Sequence, residues 1–256
     1  MLTKWFSDLP EALDILKDRH FGKLTESDLV IHIKKSEILE DPDLNLSGDR
    51  YRSGTDYSNG KWPLMTLGEL EEKGELEFVR GQNLSKSELV PDGKYPCIHY
   101  GEIYSIYGPV ITNVISKTNS LGKILSEPGD VLVPATQTAD ALGMARGCCL
   151  NVAGVVIGGD INVIRTRNKV ILGNYLAYAI SNFPLKQSLA NLAKGVNILH
   201  LANKDLRRLA LPVPPIEEQK KLIDTVEGHQ NGILELKNSI VDLEKSIADA
   251  VRDIWK

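Results

Sequence analysis

Residues 215–256 read PIEEQKKLIDTVEGHQNGILELKNSIVDLEKSIADAVRDIWK. Within them Leu222, Val226, His229, Ile233, Leu236, Ile240, Leu243, Ile247, Ala250 and Ile254 recur at steps of four and three without a break. That spacing is a heptad seam, with β-branched residues at every a position and Leu222, Leu236 and Leu243 at d. Pro215 suits a first helical position, where its missing N–H leaves nothing unsatisfied. Glu217 and Glu218 follow in the first turn, where the helix dipole favours carboxylates. A helix of this length reaches about 58 Å at 1.5 Å per residue, longer than a small domain is wide. It is expected to stand clear of its own domain, and its bare seam then requires a partner helix. Val226, Ile233, Leu236, Ile240, Leu243, Ile247 and Ile254 are the predicted dimerisation residues. The alternative is a core helix of one globule. Gly228 and Gly232 weaken the helix by about 1 kcal/mol each relative to Ala, while allowing a bend or a close approach. His229 and Ala250 are poor d residues, so the seam is imperfect at both ends.

The chain has 256 residues, 42% of them hydrophobic, enough for one sizeable core or two small ones. Cys97, Cys148 and Cys149 form neither a disulfide framework nor a metal-ligand spacing, which suits a reduced cytoplasm. Asp8, Glu11, Asp14 and Asp18 exclude a signal peptide at the start, and no apolar run approaches the ~20 residues that span a bilayer. Net charge is −4, yet Met144–Arg208 holds nine basic residues against Asp160 and Asp205, a local +7 that leaves −11 for the rest. Such asymmetry suggests one basic face on an acidic molecule, although dispersed surface charge gives the same sum.

Composition shifts along the chain. Leu9, Leu13 and Leu16 suggest a short amphipathic helix, and 28–39 a further helical or extended piece. Asp41–Arg52, then Ser53-Gly54-Thr55 and Ser58-Asn59-Gly60, are turn and linker chemistry. Three parts are expected: an N-terminal segment over 1–61, a domain over 62–214 and the long helix over 215–256. In the domain, 62–70 reads as a strand and short helix, Leu76–Arg80 as a strand, and 95–103 as a strand running into a loop. Val131–Pro134, 150–157 and 161–164 are further apolar strand runs. Helices follow over 174–181 and 185–194, with Gly195 as a C-cap signal, and Leu209–Pro214 is an extended rail. The expected class is α+β: a curved mixed sheet with small helices, followed by one long coiled-coil-forming helix.

No catalytic or metal-ligating set emerges. There is no Gly-x-Gly-x-x-Gly after a strand, no P-loop, no nucleophile elbow and no Asn/Asp-Pro-Pro-aromatic run. The Pro-Asp pairs ending at Asp43 and Asp92, with Glu71-Glu72-Lys73, are the thin basis for a metal-dependent nuclease; surface charge accounts for them better. No cofactor is expected.

Asp205-Leu206 followed by Leu211-Pro212-Val213-Pro214-Pro215-Ile216-Glu217-Glu218-Gln219-Lys220 resembles the specificity (S) subunit of type I restriction–modification systems. There a Leu-Pro-x-Pro-Pro-x-x-Glu-Gln rail closes a target recognition domain and opens a spacer helix. Trp62–Leu70, Tyr95–Gly101, Gly129–Leu132, Val155–Val163 and Lys194-Gly195 fall in the family's order, so the resemblance covers about 62–256. It implies a domain that reads duplex DNA and a helix that sets the distance between two such domains. Methyltransferase (M) and restriction (R) subunits would carry the chemistry. The usual subunit has two domains and two helices, whereas this chain has one of each, which implies a half subunit that dimerises or a piece of something longer. Asn45–Tyr51 resembles the tail of an adenine methyltransferase subunit, so 1–61 reads as a methylase tail or as a plain turn-rich linker. The seam pattern suits parallel pairing, whereas the family's helices run antiparallel; the resemblance takes precedence because His229 and Ala250 make the seam atypical.

On this reading Arg146, Lys194, Lys204, Arg207 and Arg208, with Arg165, Arg167 and Lys169, are the phosphate candidates. The loop Thr136-Gln137-Thr138, with Asn197 and His200, holds the base-reading candidates, since Gln and Asn can pair bidentately with adenine. Ordinary loop hydrogen bonding is the alternative for each. The rival function is a coiled-coil interaction module with no DNA role.

Overall fold

The computed structural model describes residues 9–25, 27, 30, 32–40, 60–138, 140–195 and 197–254. The chain forms two compact units, 1–55 and 56–256. In the first, α1 (Leu9–His20) carries Glu11 in its first turn and Lys17, Arg19 and His20 in its last, matching the helix dipole. Ile15 is its buried residue, and α2 (Lys35–Glu40) follows. The linker of 41–59, including the methylase-tail-like stretch, lies outside the described residues.

The second unit opens with β1 (Leu64–Thr66), which turns at once into α3 (Leu67–Glu72). A capping box makes that corner: Glu69 N–H donates to Thr66 Oγ1 at 3.1 Å and Thr66 N–H to Glu69 Oε2 at 2.7 Å. β1 pairs antiparallel with β12 (Ala210–Pro212), so the proline rail is an edge strand, where prolines are tolerated.

The central sheet runs β2 (Leu76–Arg80), β10 (Ile161–Thr166), β6 (Asp130–Pro134), β8 (Cys148–Leu150), β4 (Val110–Ile111). It is mixed: β8 and β4 are parallel, the other pairs antiparallel. Both of its faces are buried, which is why its strands read as unbroken apolar runs. Val131, Val133, Cys149 and Ile164 face α6 (Gly173–Ser181) and α7 (Leu185–Asn191). Leu132, Cys148, Leu150, Ile161 and Val163 face the other way, against Ile98, Ile103 and Ile157. The neighbours Cys148 and Cys149 therefore point to opposite faces, as alternation along a strand requires. A smaller sheet, β5 (Lys117–Thr118), β3 (Tyr95–Ile98), β9 (Val156–Ile157), covers that second side. α6 starts on Gly173 because a Cβ there would lie 2.2 Å from the carbonyl oxygen of Gly129.

Three expectations need correction. Residues read as a loop after Ile98 form α4 (Tyr100–Ser105), capped by His99, whose Nδ1 accepts from Gly101 N–H. The apolar run 150–157 splits, because 151–155 is a loop pinned by Ser126, which bonds Val152 and Val155. Thr136–Thr138 is strand β7, followed by the short α5 (Ala141–Met144). Among the described residues no helix is long and apolar enough to cross a membrane.

The last helix, α9 (Ile216–Asp253), is continuous over 38 residues. Its first turns pack on the domain, burying Gln219 and Ile223 and placing Val226 against the core. From Ile233 onward it stands clear: Ile233, Leu236, Ile240, Leu243, Ile247 and Ile254 are each more than half exposed.

Burial raises the thiols of Cys97 and Cys148 to about 11 and that of Cys149 to about 12, with Glu102 adding to the first and Asp130 to the last. The native state thus keeps protons that the unfolded chain sheds near pH 8.5. Stability is therefore expected to fall as pH rises above that value, by about 1.4 kcal/mol per pH unit for each thiol. Urea midpoints at pH 7 and pH 10 check the sign.

Candidate nucleic-acid interface

Two stretches sixty residues apart meet in a ribbon. β7 pairs antiparallel with β11 (Ile198–His200): Thr136 lies across from His200, Gln137 from Leu199 and Thr138 from Ile198. Lys194 and His200 exchange backbone hydrogen bonds at 2.8 and 2.7 Å, which closes the ribbon at its tip. Gly195 enters that tip at φ +129°, a conformation that suits glycine. Asn197, Ile198 and His200 are exposed and Leu199 is buried. Paired residues share a face, so Thr136, His200 and Ile198 look outward while Gln137 lies on the inner side with Leu199. The side chain of Thr138 lies outside the described residues.

The ribbon is held to the domain at several points. Leu201 N–H donates to Ala135 O at 2.9 Å, and Asn162 Nδ2 donates to Leu201 O at 2.6 Å. The Tyr104 hydroxyl of α4 donates to Thr136 O at 2.9 Å. Burial pushes that phenol well above its usual range, so it remains a donor. Arg146 Nη1 and Nη2 donate to the carbonyls of Tyr104 and Tyr107 at 3.2 and 3.4 Å. Its cation thus sits at the C-terminus of α4, where the helix dipole favours it. α8 (Asn203–Leu206) follows the ribbon directly and presents Lys204 to solvent; Arg208 is exposed just beyond. Lys194 Nζ lies 3.3 Å from the buried Asp205 carboxylate.

Of the remaining basic candidates, the three arginines are already paired. Arg165 is buried and bidentate on Asp130, both contacts at 2.9 Å, with Glu127 at 2.7 Å. Arg167 bonds Glu127 at 2.7 Å and Glu77 at 2.9 Å. Both guanidinium pKa values are raised, Arg165 chiefly by its bond to Asp130 and Arg167 chiefly by its bond to Glu77. Lys169 follows in an exposed turn with Asn168, both at positive φ. Arg165 lies near the end of β10 opposite the ribbon and Arg167 and Lys169 follow that end, about 17 Å away at 3.3 Å per residue. Arg207 is bidentate on Glu71 at 2.5 and 2.9 Å and stacks over Phe78 at 4.7 Å. The acids that neutralise these arginines come from outside Met144–Arg208, so the local +7 of the sequence is not a +7 surface. Among the described residues Lys204 and Arg208 form no ion pair. Tyr104 was missed because α4 is capped by a histidine, whereas Ser, Thr, Asp and Asn are the usual signals. Glu71 is held by Arg207, and among the described residues no His, Cys, Asp and Glu gather as a metal site.

A family model described as the type I restriction modification DNA specificity domain matches residues 59–244. A solved structure from a study of complex assembly and conformational transition of the type I R-M system is similar over 93% of this chain and 49% of that one, at 18% identity and TM-score 0.52. The HsdS subunit of Thermoanaerobacter tengcongensis is similar over 70% of this chain and 39% of its own, at 20% identity and TM-score 0.48. The S subunit of M. genitalium is similar over 66% and 39%, at 15% identity and TM-score 0.46. The chain thus spans about half the length, or less, of these structures. No curated protein matches it.

If Arg165 is a structural cation, Arg165→Met strands Asp130 as a buried charge. The expected loss is roughly 3 kcal/mol of stability by urea denaturation. An unchanged midpoint would return Arg165 to the surface.

Proposed function

The chain belongs to the type I restriction–modification DNA specificity domain family, and on that premise we propose that it is a non-catalytic recognition module that reads duplex DNA and pairs with a second copy through α9. The observation that carries the reading is the β7–β11 ribbon. It brings the half-buried Thr136 and the exposed His200, from two distant stretches, together on one face of a domain of that family.

On this proposal Thr136, Asn197 and His200 approach base edges, and Lys204 and Arg208 approach phosphates, with Lys194 beside them. Arg146, Arg165 and Arg207 serve as internal struts. The exposed seam of α9 supports pairing of two copies, since each buried Ile or Leu contributes about 1.5–3 kcal/mol. Two identical copies would read a split palindrome at a fixed gap. Methylation and cleavage belong to M and R subunits in the cytoplasm, and residues 1–61 serve as a methylase-like tail.

Light scattering with a salt titration on random duplex DNA tests this. A dimer whose affinity falls steeply with salt is expected, and a monomer with salt-independent binding would overturn it. Lys204→Ala and Arg208→Ala are each expected to reduce the slope of log K against log salt by about 0.9. Deleting residues 237–243 keeps the seam in phase and shortens each helix by about 10 Å. The gap between half-sites in bound duplexes should then change; an unchanged gap would refute the spacer role.

A further inference from the structure

The outward face of the β7–β11 ribbon carries an apolar residue among its polar ones. Ile198 is 53% exposed, next to the exposed Asn197 and two positions from the exposed His200. Strand alternation puts it on the side of His200 and Thr136, while Leu199 between them is buried. Its backbone is held on two sides. Ile198 lies across from Thr138 in the ribbon's register, and its carbonyl oxygen would lie 2.0 Å from a Cβ on Gly195. The turn is thus tight enough to require glycine at 195, and the isoleucine is offered from a fixed backbone. A β-branched side chain also has few rotamers to lose on contact.

A single apolar residue on a protein surface needs no explanation in general. On a face that approaches base edges it does, because packing it against a donor or acceptor strips that group of water and returns no hydrogen bond. The major groove admits a two-stranded ribbon, and the apolar group that its base edges present is the 5-methyl of thymine. We propose that Ile198 is a specificity-determining residue that reads a thymine methyl group in the major groove, so that the recognised sequence holds a T·A pair at the position facing it. The inference rests on the DNA reading proposed above. It divides the ribbon by chemistry: Thr136, Asn197 and His200 answer donors and acceptors, and Ile198 answers a methyl group. The sequence pattern conceals this, because an isoleucine beside a leucine in a short strand reads as core.

Deoxyuridine in place of thymidine removes that methyl group and leaves the donors and acceptors of the base unchanged. Duplexes selected by the full chain from a random library are remade with each T replaced in turn, then titrated with the wild type, Ile198→Ala and Ile198→Val. At one T of the half-site the wild type is expected to lose about fourfold in affinity, the contribution of one buried methyl group. Ile198→Ala is expected to lose nothing there, and Ile198→Val, which keeps the branched shape, to lose an intermediate factor. Cytosine at that position is expected to gain from 5-methylation with the wild type and not with Ile198→Ala. A structural defect in a variant weakens thymine and uracil duplexes alike, so a methyl effect that depends on residue 198 reports contact. A motif without such a T, or a methyl effect equal in all three proteins, would overturn the role of Ile198 and leave the DNA reading standing. So would a loss in Ile198→Ala that is the same for every duplex, as for a side chain wedged between base steps. Failure of the wild-type chain to select any motif would overturn the DNA reading, and this assignment with it.

Discussion

The side-chain amide of Gln219 fixes the direction in which the long helix leaves the domain. It is fully buried, accepts from Leu172 N–H at 2.9 Å, and donates to Val170 O and Pro214 O at 2.9 and 2.8 Å. One amide thus joins the end of the proline rail, the first turn of α9 and the segment entering α6. A buried amide with all these partners is stable; shortened or replaced by a carboxylate it would leave polar groups unpaired in the interior. Tyr175 supports the same junction by donating to Pro212 O at 2.8 Å.

From that junction the domain has two ends. β10 runs between them: its first residues lie beside the ribbon, and its last lead to the turn that Gln219 holds. The Asp130–Arg165 pair and its neighbours Glu127 and Arg167 rigidify the helix end. Tyr104, Arg146 and Asn162 brace the ribbon end. The proposed reading surface and the helix root are thus opposite ends of one buried strand.

Much of this was legible in the sequence because it rests on periodicity and chain punctuation. The heptad seam, the rail, β2, β6, β10 and α6 follow from repeats of 3.5, 2 and 3.6 residues and from prolines. α4 was illegible because His99 substitutes for a usual cap residue. β7 was illegible because Thr136–Thr138 is too short to show alternation, and its partner lies sixty residues on. The same long-range pairing decides the interface, since it turns Gln137 inward and His200 outward. The charge sum misled for a related reason: Arg165, Arg167 and Arg207 find acids remote in sequence.

The most direct test is to select bound duplexes from a random library with the full chain and sequence them. Two identical half-sites in inverted orientation, separated by one fixed gap, are expected. A single unsplit motif, a variable gap or no motif would contradict a paired, DNA-reading module.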